Sequence, residues 1–208
     1  MSQNILKNKS SQIDLSVYIK SFLLLMKPRV MSLVLFTAMV GLLVAPVTVS
    51  FTTASLSLLA VAIGSGAAGA LNMWYESDVD ALMSRTCLRP IPTGKIKRDQ
   101  ALLFGIILSF ISIVMLYLSS NLISAILLAA TISFYFFIYT IWLKRKTAQN
   151  IVIGGAAGAL PPVIGWAVAM NNISLEPIVM FLIIFIWTPS HFWALSLYKF
   201  KDYEKAKI

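Results

Sequence analysis

Hydrophobic residues in this chain neither alternate nor keep to one face; they fill whole stretches. No side chain charged at neutral pH falls between Arg29 and Glu76, between Asp99 and Lys144, or between Glu176 and Lys199. One bilayer crossing takes about 20 apolar residues, so each of the first two runs has room for two crossings. The pattern predicts six spanning helices: Val30–Val47, Leu56–Trp74, Leu102–Leu118, Leu122–Ile141, Val152–Ala169 and Ile178–Tyr198. A transmembrane barrel would show alternating strands of about 10 residues, and none occur. Ahead of the first crossing, Ile13–Lys27 is mildly amphipathic, which suits a helix along the interface or a frayed extension of the crossing. The fold class expected is all-α, a polytopic membrane bundle forming a single domain over 1–208.

Composition agrees. The chain has 208 residues, 59% hydrophobic and 12% charged, with a mean hydropathy of +0.84. A soluble domain carries about twice that charged fraction. With the N-terminus inside, the inner segments are 1–29, 75–101, 142–151 and 199–208, and all 17 Lys and Arg fall in them. The outer loops hold none, which is the positive-inside pattern. Topology therefore explains the net charge of +9, and nucleic acid is not an expected partner. The single cysteine, Cys87, excludes an intramolecular disulfide.

The candidate chemistry lies where the second span runs into the inner loop 72–98. Glu76, Asp78 and Asp80 fall within five residues, and Arg85, Arg89 and Lys95 follow. If the helix continues for two more turns, Asn72, Glu76 and Asp80 stand at i, i+4 and i+8, within about 80° of one another. They would form a polar stripe about 12 Å long, with Asp78 pointing elsewhere. Two carboxylates and an amide oxygen suit a hard cation such as Mg²⁺ that also shares phosphate oxygens. The bland alternative is an acidic helix end paired with Arg85 and Arg89. Pro90, Pro92 and Gly94 then break the helix, so 85–97 should fold as a loop over the stripe. Its cations suit phosphate, and Lys144, after the fourth span, could serve the same pocket or simply anchor.

The small residues Gly64, Gly66, Ala67, Ala68, Gly69 and Ala70 predict close helix packing, as does the Gly154/Gly158 pair. Pro161 and Pro162 should kink the fifth span. His191, the only histidine, shares a stripe with Leu195, Tyr198 and Asp202 in the sixth. Spans two and six both end near an aspartate, Asp80 and Asp202, a weak internal echo.

These residues carry a resemblance. NMWYESDVDALMSRTCLRPIPTGKI is similar to the first aspartate-rich motif, Asn-x-x-x-Asp-x-x-x-Asp, of the UbiA-type intramembrane prenyltransferases, with Glu76 where Asp is usual. IVIGGAAGALPPVIGWAV and WTPSHFWALSLYKFKDY resemble one branch, the protohaem IX farnesyltransferases (haem O synthases). The resemblance covers roughly residues 20–208 and implies a nine-helix bundle, of which six spans are present here. It implies Mg²⁺-dependent transfer of farnesyl from farnesyl diphosphate to a vinyl group of haem b, giving haem O. By the same resemblance Asn72, Glu76, Asp80 and Asp202 are catalytic, and Glu76, Asp80 and Asp202 hold metal. Arg85, Arg89 and Lys95 fall on the loop that binds diphosphate. On the residues' own chemistry Lys144 joins them, and His191, with Tyr198 on its stripe, is a haem ligand or orienting group, a proton relay or a structural residue. The setting implied is a bacterial cell inner membrane, or a mitochondrial one, with the site facing cytoplasm or matrix. Haem A synthase or oxidase assembly factors are the implied protein partners. Other readings are a UbiA-type enzyme with another aromatic acceptor, an inactive remnant, or a cation-coupled transporter.

Overall fold

The computed structural model describes residues 15–144, 146–147 and 149–198; the side chains of 195–198 are not among those described. The described residues form helices and connectors, with no strand. The helices are α1 (Leu15–Leu25), α2 (Pro28–Val44), α3 (Phe51–Tyr75), α4 (Ser77–Leu82), α5 (Arg98–Ser119), α6 (Leu122–Ser133, extended by a π-helical Phe134–Leu143), α7 (Asn150–Ala159), α8 (Pro161–Met170) and α9 (Leu175–Tyr198). Five spans are long and apolar enough to cross a bilayer: α3, α5, α6 with its extension, α7 with α8, and α9. Helices α1 and α2 qualify only as a pair, bent by 49°. The chain is an integral membrane protein, and the expected spans are borne out to within a few residues at their ends.

Small residues decide how closely the bundle packs. A Cβ on Gly41 would lie 2.0 Å from the Pro162 carbonyl oxygen, and one on Gly165 would lie 1.9 Å from that of Ala38. Backbone therefore meets backbone where α2 crosses α8. Close to this crossing, Asn121 caps α6 by accepting from the Ser124 amide at 2.9 Å and donates to the Ala167 carbonyl at 2.8 Å. The core of this region holds Ala38, Leu42, Val61, Leu116, Leu128 and Ile164.

The glycines of α3 serve the α1–α2 bend. A Cβ on Gly66 would lie 2.5 Å from Met26 Cε, and one on Gly69 would lie 3.2 Å from the Leu25 carbonyl oxygen. The bend is thus seated on bare α3 backbone, with Lys27 in the left-handed region at φ 53°. Leu25 is fully buried there with Ala70, Met73, Ile91, Ile96 and Ala101. Ile91 and Ile96 pin the loop after α4, and Gly94 takes the positive φ of 71° that its turn requires.

Candidate functional site

The stripe forms as expected, with a hinge in it. Helix α3 stops at Tyr75, and Glu76 takes φ −92° and ψ 7° before α4 resumes. The i→i−4 bonds survive the hinge: Glu76 donates to the Asn72 carbonyl at 3.0 Å and Asp80 to the Glu76 carbonyl at 2.8 Å. Asn72, Glu76 and Asp80 are 2%, 5% and 3% exposed, while Asp78 is exposed. The spacing rule therefore separates the three buried groups from their neighbour correctly.

Each buried group meets a cation from a different part of the chain. Lys27 Nζ, from the α1–α2 link, donates to Asn72 Oδ1 at 2.5 Å. Lys144, just past the π-helical segment, pairs with Glu76. Arg89, in the loop after α4, donates from one nitrogen to both Asp80 oxygens at 2.8 and 2.7 Å. The other half of the Asn72 amide donates to Thr140 Oγ1 at 3.1 Å, which aims its oxygen at Lys27. Thr140 in turn donates to the Tyr135 carbonyl at 2.9 Å, an i→i−5 reach that the wide π-helical turn permits. That turn places Thr140 and Lys144 together against Asn72 and Glu76.

Burial, with Arg89 close by, brings the Lys27 ammonium down to about 7, and Glu76 pulls the other way. Fully ionised, the cluster sets three cations against two carboxylates. A surplus of positive charge on a buried acidic stripe favours an anion larger than the carboxylates themselves.

Sequence reasoning missed Lys27 and Tyr135. Lys27 reads as one more interfacial cation, and only the glycine seats on α3 show why it turns inward. The aromatic run Phe134–Leu143 gives no warning of a π-helix. Arg85 and Lys95 were expected beside Arg89, but both are exposed and the structure brings neither to the stripe. Arg89 alone of the three is brought there, because Pro90, Ile91 and Ile96 are buried around it while residues 85 and 95 sit on the loop's outer edge. His191 is also exposed; its ring stacks on Trp187, with centroids 4.5 Å apart, and meets Phe192 edge-on. The Tyr198 side chain and Asp202 lie outside the described residues.

Below the cluster lies a cavity of about 120 Å³. Lys27 and Tyr135 border its polar end, and Val34, Val61, Leu128, Ile132 and Ile164 border the remainder. Its α3 wall is Val61, Gly64, Ser65, Ala68 and Gly69, the same face that continues into Asn72 and Glu76. Fold and site thus define a polytopic helical membrane protein whose buried acid–base cluster caps an apolar cavity.

Comparison with known proteins places it further. The family model for the UbiA prenyltransferase family matches residues 34–208. The protoheme IX farnesyltransferase of Pelagibacter ubique is 66% identical over 100% of this chain and 69% of its own length. Protoheme IX farnesyltransferase 2 of Mesorhizobium japonicum is 60% identical, over 90% of this chain and 60% of its own. The protoheme IX farnesyltransferase of Ehrlichia ruminantium is 54% identical, over 98% and 69%. A UbiA homolog from Archaeoglobus fulgidus, solved bound to DMAPP and Mg²⁺, shares the fold at a TM-score of 0.76 and 18% identity, over 89% of this chain and 66% of that one. The chain belongs to the UbiA prenyltransferase family. It spans between 60% and 69% of the length of these curated relatives.

Proposed function

We propose that the chain binds Mg²⁺ and farnesyl diphosphate in the cluster at the end of α3 and serves farnesyl transfer to a vinyl group of haem b, giving haem O. The observation that carries this reading is the convergence of Lys27, Arg89 and Lys144 on the buried stripe Asn72–Glu76–Asp80 at the mouth of an apolar cavity. It is supported by three curated relatives named for that activity and by UbiA homologs solved with Mg²⁺ and DMAPP or GPP.

The donor set fits the metal in kind: hard oxygens from two carboxylates and an amide on one helical face. Asn72, Glu76 and Asp80 would hold it, with Asp202 assigned to the same role, and the bound ion would supply charge neutralisation at the leaving diphosphate. The cations that now cover those oxygens would change partners. Lys27, Arg89 and Lys144 are each within reach of an anion seated on the stripe, and each would trade a protein oxygen for a phosphate oxygen. Arg85 and Lys95 are assigned to the approach of the anion at the rim. As the C1–O bond of farnesyl diphosphate breaks, its electron pair leaves with diphosphate and an allylic cation develops. The Tyr135 ring, at the junction of cluster and cavity, can stabilise that cation through its face. The vinyl group then bonds to C1, and water takes the carbon left cationic, releasing a proton.

The acceptor side is assigned to α9. His191, stacked on Trp187, offers a flat shelf and an imidazole, which suit a porphyrin face and its iron. Tyr198 is assigned to the same contact. The sidedness of the cations supports a cluster that faces the cytoplasm from a bacterial inner membrane, or the matrix from a mitochondrial one. Haem A synthase, which would consume the product, is the partner to look for. A cation-coupled transporter would place ionisable groups at mid-depth; among the described residues the buried carboxylates are Glu76 and Asp80, both at one end.

The reading is tested by binding and turnover. Farnesyl diphosphate should bind the purified chain only weakly without Mg²⁺, and extracts with added haem b should yield haem O. Farnesyl transfer to a hydroxybenzoate but not to haem b would move the chain to another branch of the family.

A further inference from the structure

Three glycines lie on α7, and two of them have a packing reason. A Cβ on Gly154 would lie 2.2 Å from Tyr139 Cδ2, and one on Gly155 would lie 2.9 Å from Thr188 Cγ2. Gly158 has none. Among the described residues a Cβ there would meet nothing within 4 Å, its φ is not positive, and the residue is exposed where it borders the cavity beneath the cluster. Glycine inside a helix is unfavourable relative to alanine, so an unpacked helical glycine needs another explanation. The G-x-x-x-G pair, read from sequence as one packing face, divides into a packing glycine and an open one.

We propose that Gly158 sets the length of prenyl chain the cavity admits. This rests on the function proposed above and adds to it the residue that selects the donor. The α3 wall from Asn72 down to Val61 is about 16 Å long, so a chain attached to a diphosphate on the stripe runs down this wall. Gly158 lies about 12 Å along α7 from Asn150, part-way down the opposite side. Ala157 and Pro161 flank it in the cavity lining. A side chain at 158 would project into the path of the distal isoprene units and leave the first unit and the head group untouched. Because Gly158 is exposed at the cavity's edge, a larger residue there enters open space without displacing backbone.

The test measures Mg²⁺-dependent binding of inorganic, dimethylallyl, geranyl and farnesyl diphosphate to the purified chain in lipid nanodiscs. Wild type, Gly158→Ala, Gly158→Leu and Gly158→Phe are compared. In wild type, affinity should rise with chain length up to farnesyl. In Gly158→Phe, farnesyl diphosphate should bind at least tenfold more weakly, with inorganic and dimethylallyl diphosphate within twofold of wild type. Gly158→Leu should fall between, and Gly158→Ala should match wild type on all four. Unchanged farnesyl affinity in the Phe variant overturns the proposal. So does an equal loss of all four ligands in the Leu and Phe variants, since that places the effect on the fold or the head-group site. A wild-type chain that binds farnesyl diphosphate no better than inorganic diphosphate fails earlier, at the function itself, before any variant is read.

Discussion

Helices α3 and α9 are nearly alike in length, with 25 and 24 residues, and each sets a polar residue in an apolar run. Their surroundings differ. The most apolar stretch of α3 is 61% buried, that of α9 only 11%. Asn72 on α3 is held on both sides of its amide, by Lys27 and Thr140. His191 on α9 is exposed and touches only rings of its own helix among the contacts described. Glycine and alanine make the difference, because bare α3 backbone lets neighbours close in and present cations to the stripe. A polar residue in a membrane helix acquires a definite role when other elements are brought to it.

The sharpest way to break this contrast is Glu76→Gln. It removes one carboxylate from the stripe and leaves Lys144 without its ion partner, so farnesyl diphosphate affinity in Mg²⁺ should drop about 100-fold, near 3 kcal/mol. Isothermal titration reads it directly. Gly66→Leu attacks the same site from behind. It would push Met26 off α3, costing about 1–3 kcal/mol of stability, visible as a lower Tm, and would weaken diphosphate binding by carrying Lys27 away. Lys27→Met should cost about tenfold in affinity, in the range of one charged hydrogen bond.

Lys27 also carries a pH prediction. With its ammonium down at about 7, the charged form that binds an anion is present below pH 7 and lost above it. Wild-type diphosphate affinity should therefore fall between pH 6.5 and 8.5. Lys27→Arg, always charged, should flatten that fall. The smallest effects belong to residues away from the cluster. Asp78→Asn and His191→Ala should leave diphosphate affinity within about twofold, since both side chains are exposed whereas the stripe is buried. His191→Ala should nonetheless weaken haem binding, read from the Soret band, and an unchanged Soret titration would remove His191 from the acceptor site.

Much of this was legible in the chain itself. Long uncharged runs showed the spans because a bilayer tolerates few charges, and i+4 spacing showed the stripe because helical geometry fixes it. The family resemblance drawn from the Asn72–Lys97 and α7–α9 stretches is borne out by the family match. What escaped was tertiary. Nothing in the local sequence says that Lys27 turns inward while Arg85 and Lys95 face out, because burial of Leu25, Ile91 and Ile96 decides it. Nor does sequence show that Phe134–Leu143 widens into a π-helix, or that Gly154 and Gly158 part company.

The central claim is that the buried stripe of α3 and α4 holds Mg²⁺ and, through it, a diphosphate. The direct measurement is farnesyl diphosphate affinity as a function of Mg²⁺ concentration, in wild type and in the double variant Glu76→Gln/Asp80→Asn. Wild-type affinity should climb steeply with Mg²⁺, and the double variant should show a flat response at low affinity. An equally steep Mg²⁺ response in the double variant would place the metal elsewhere and contradict the assignment.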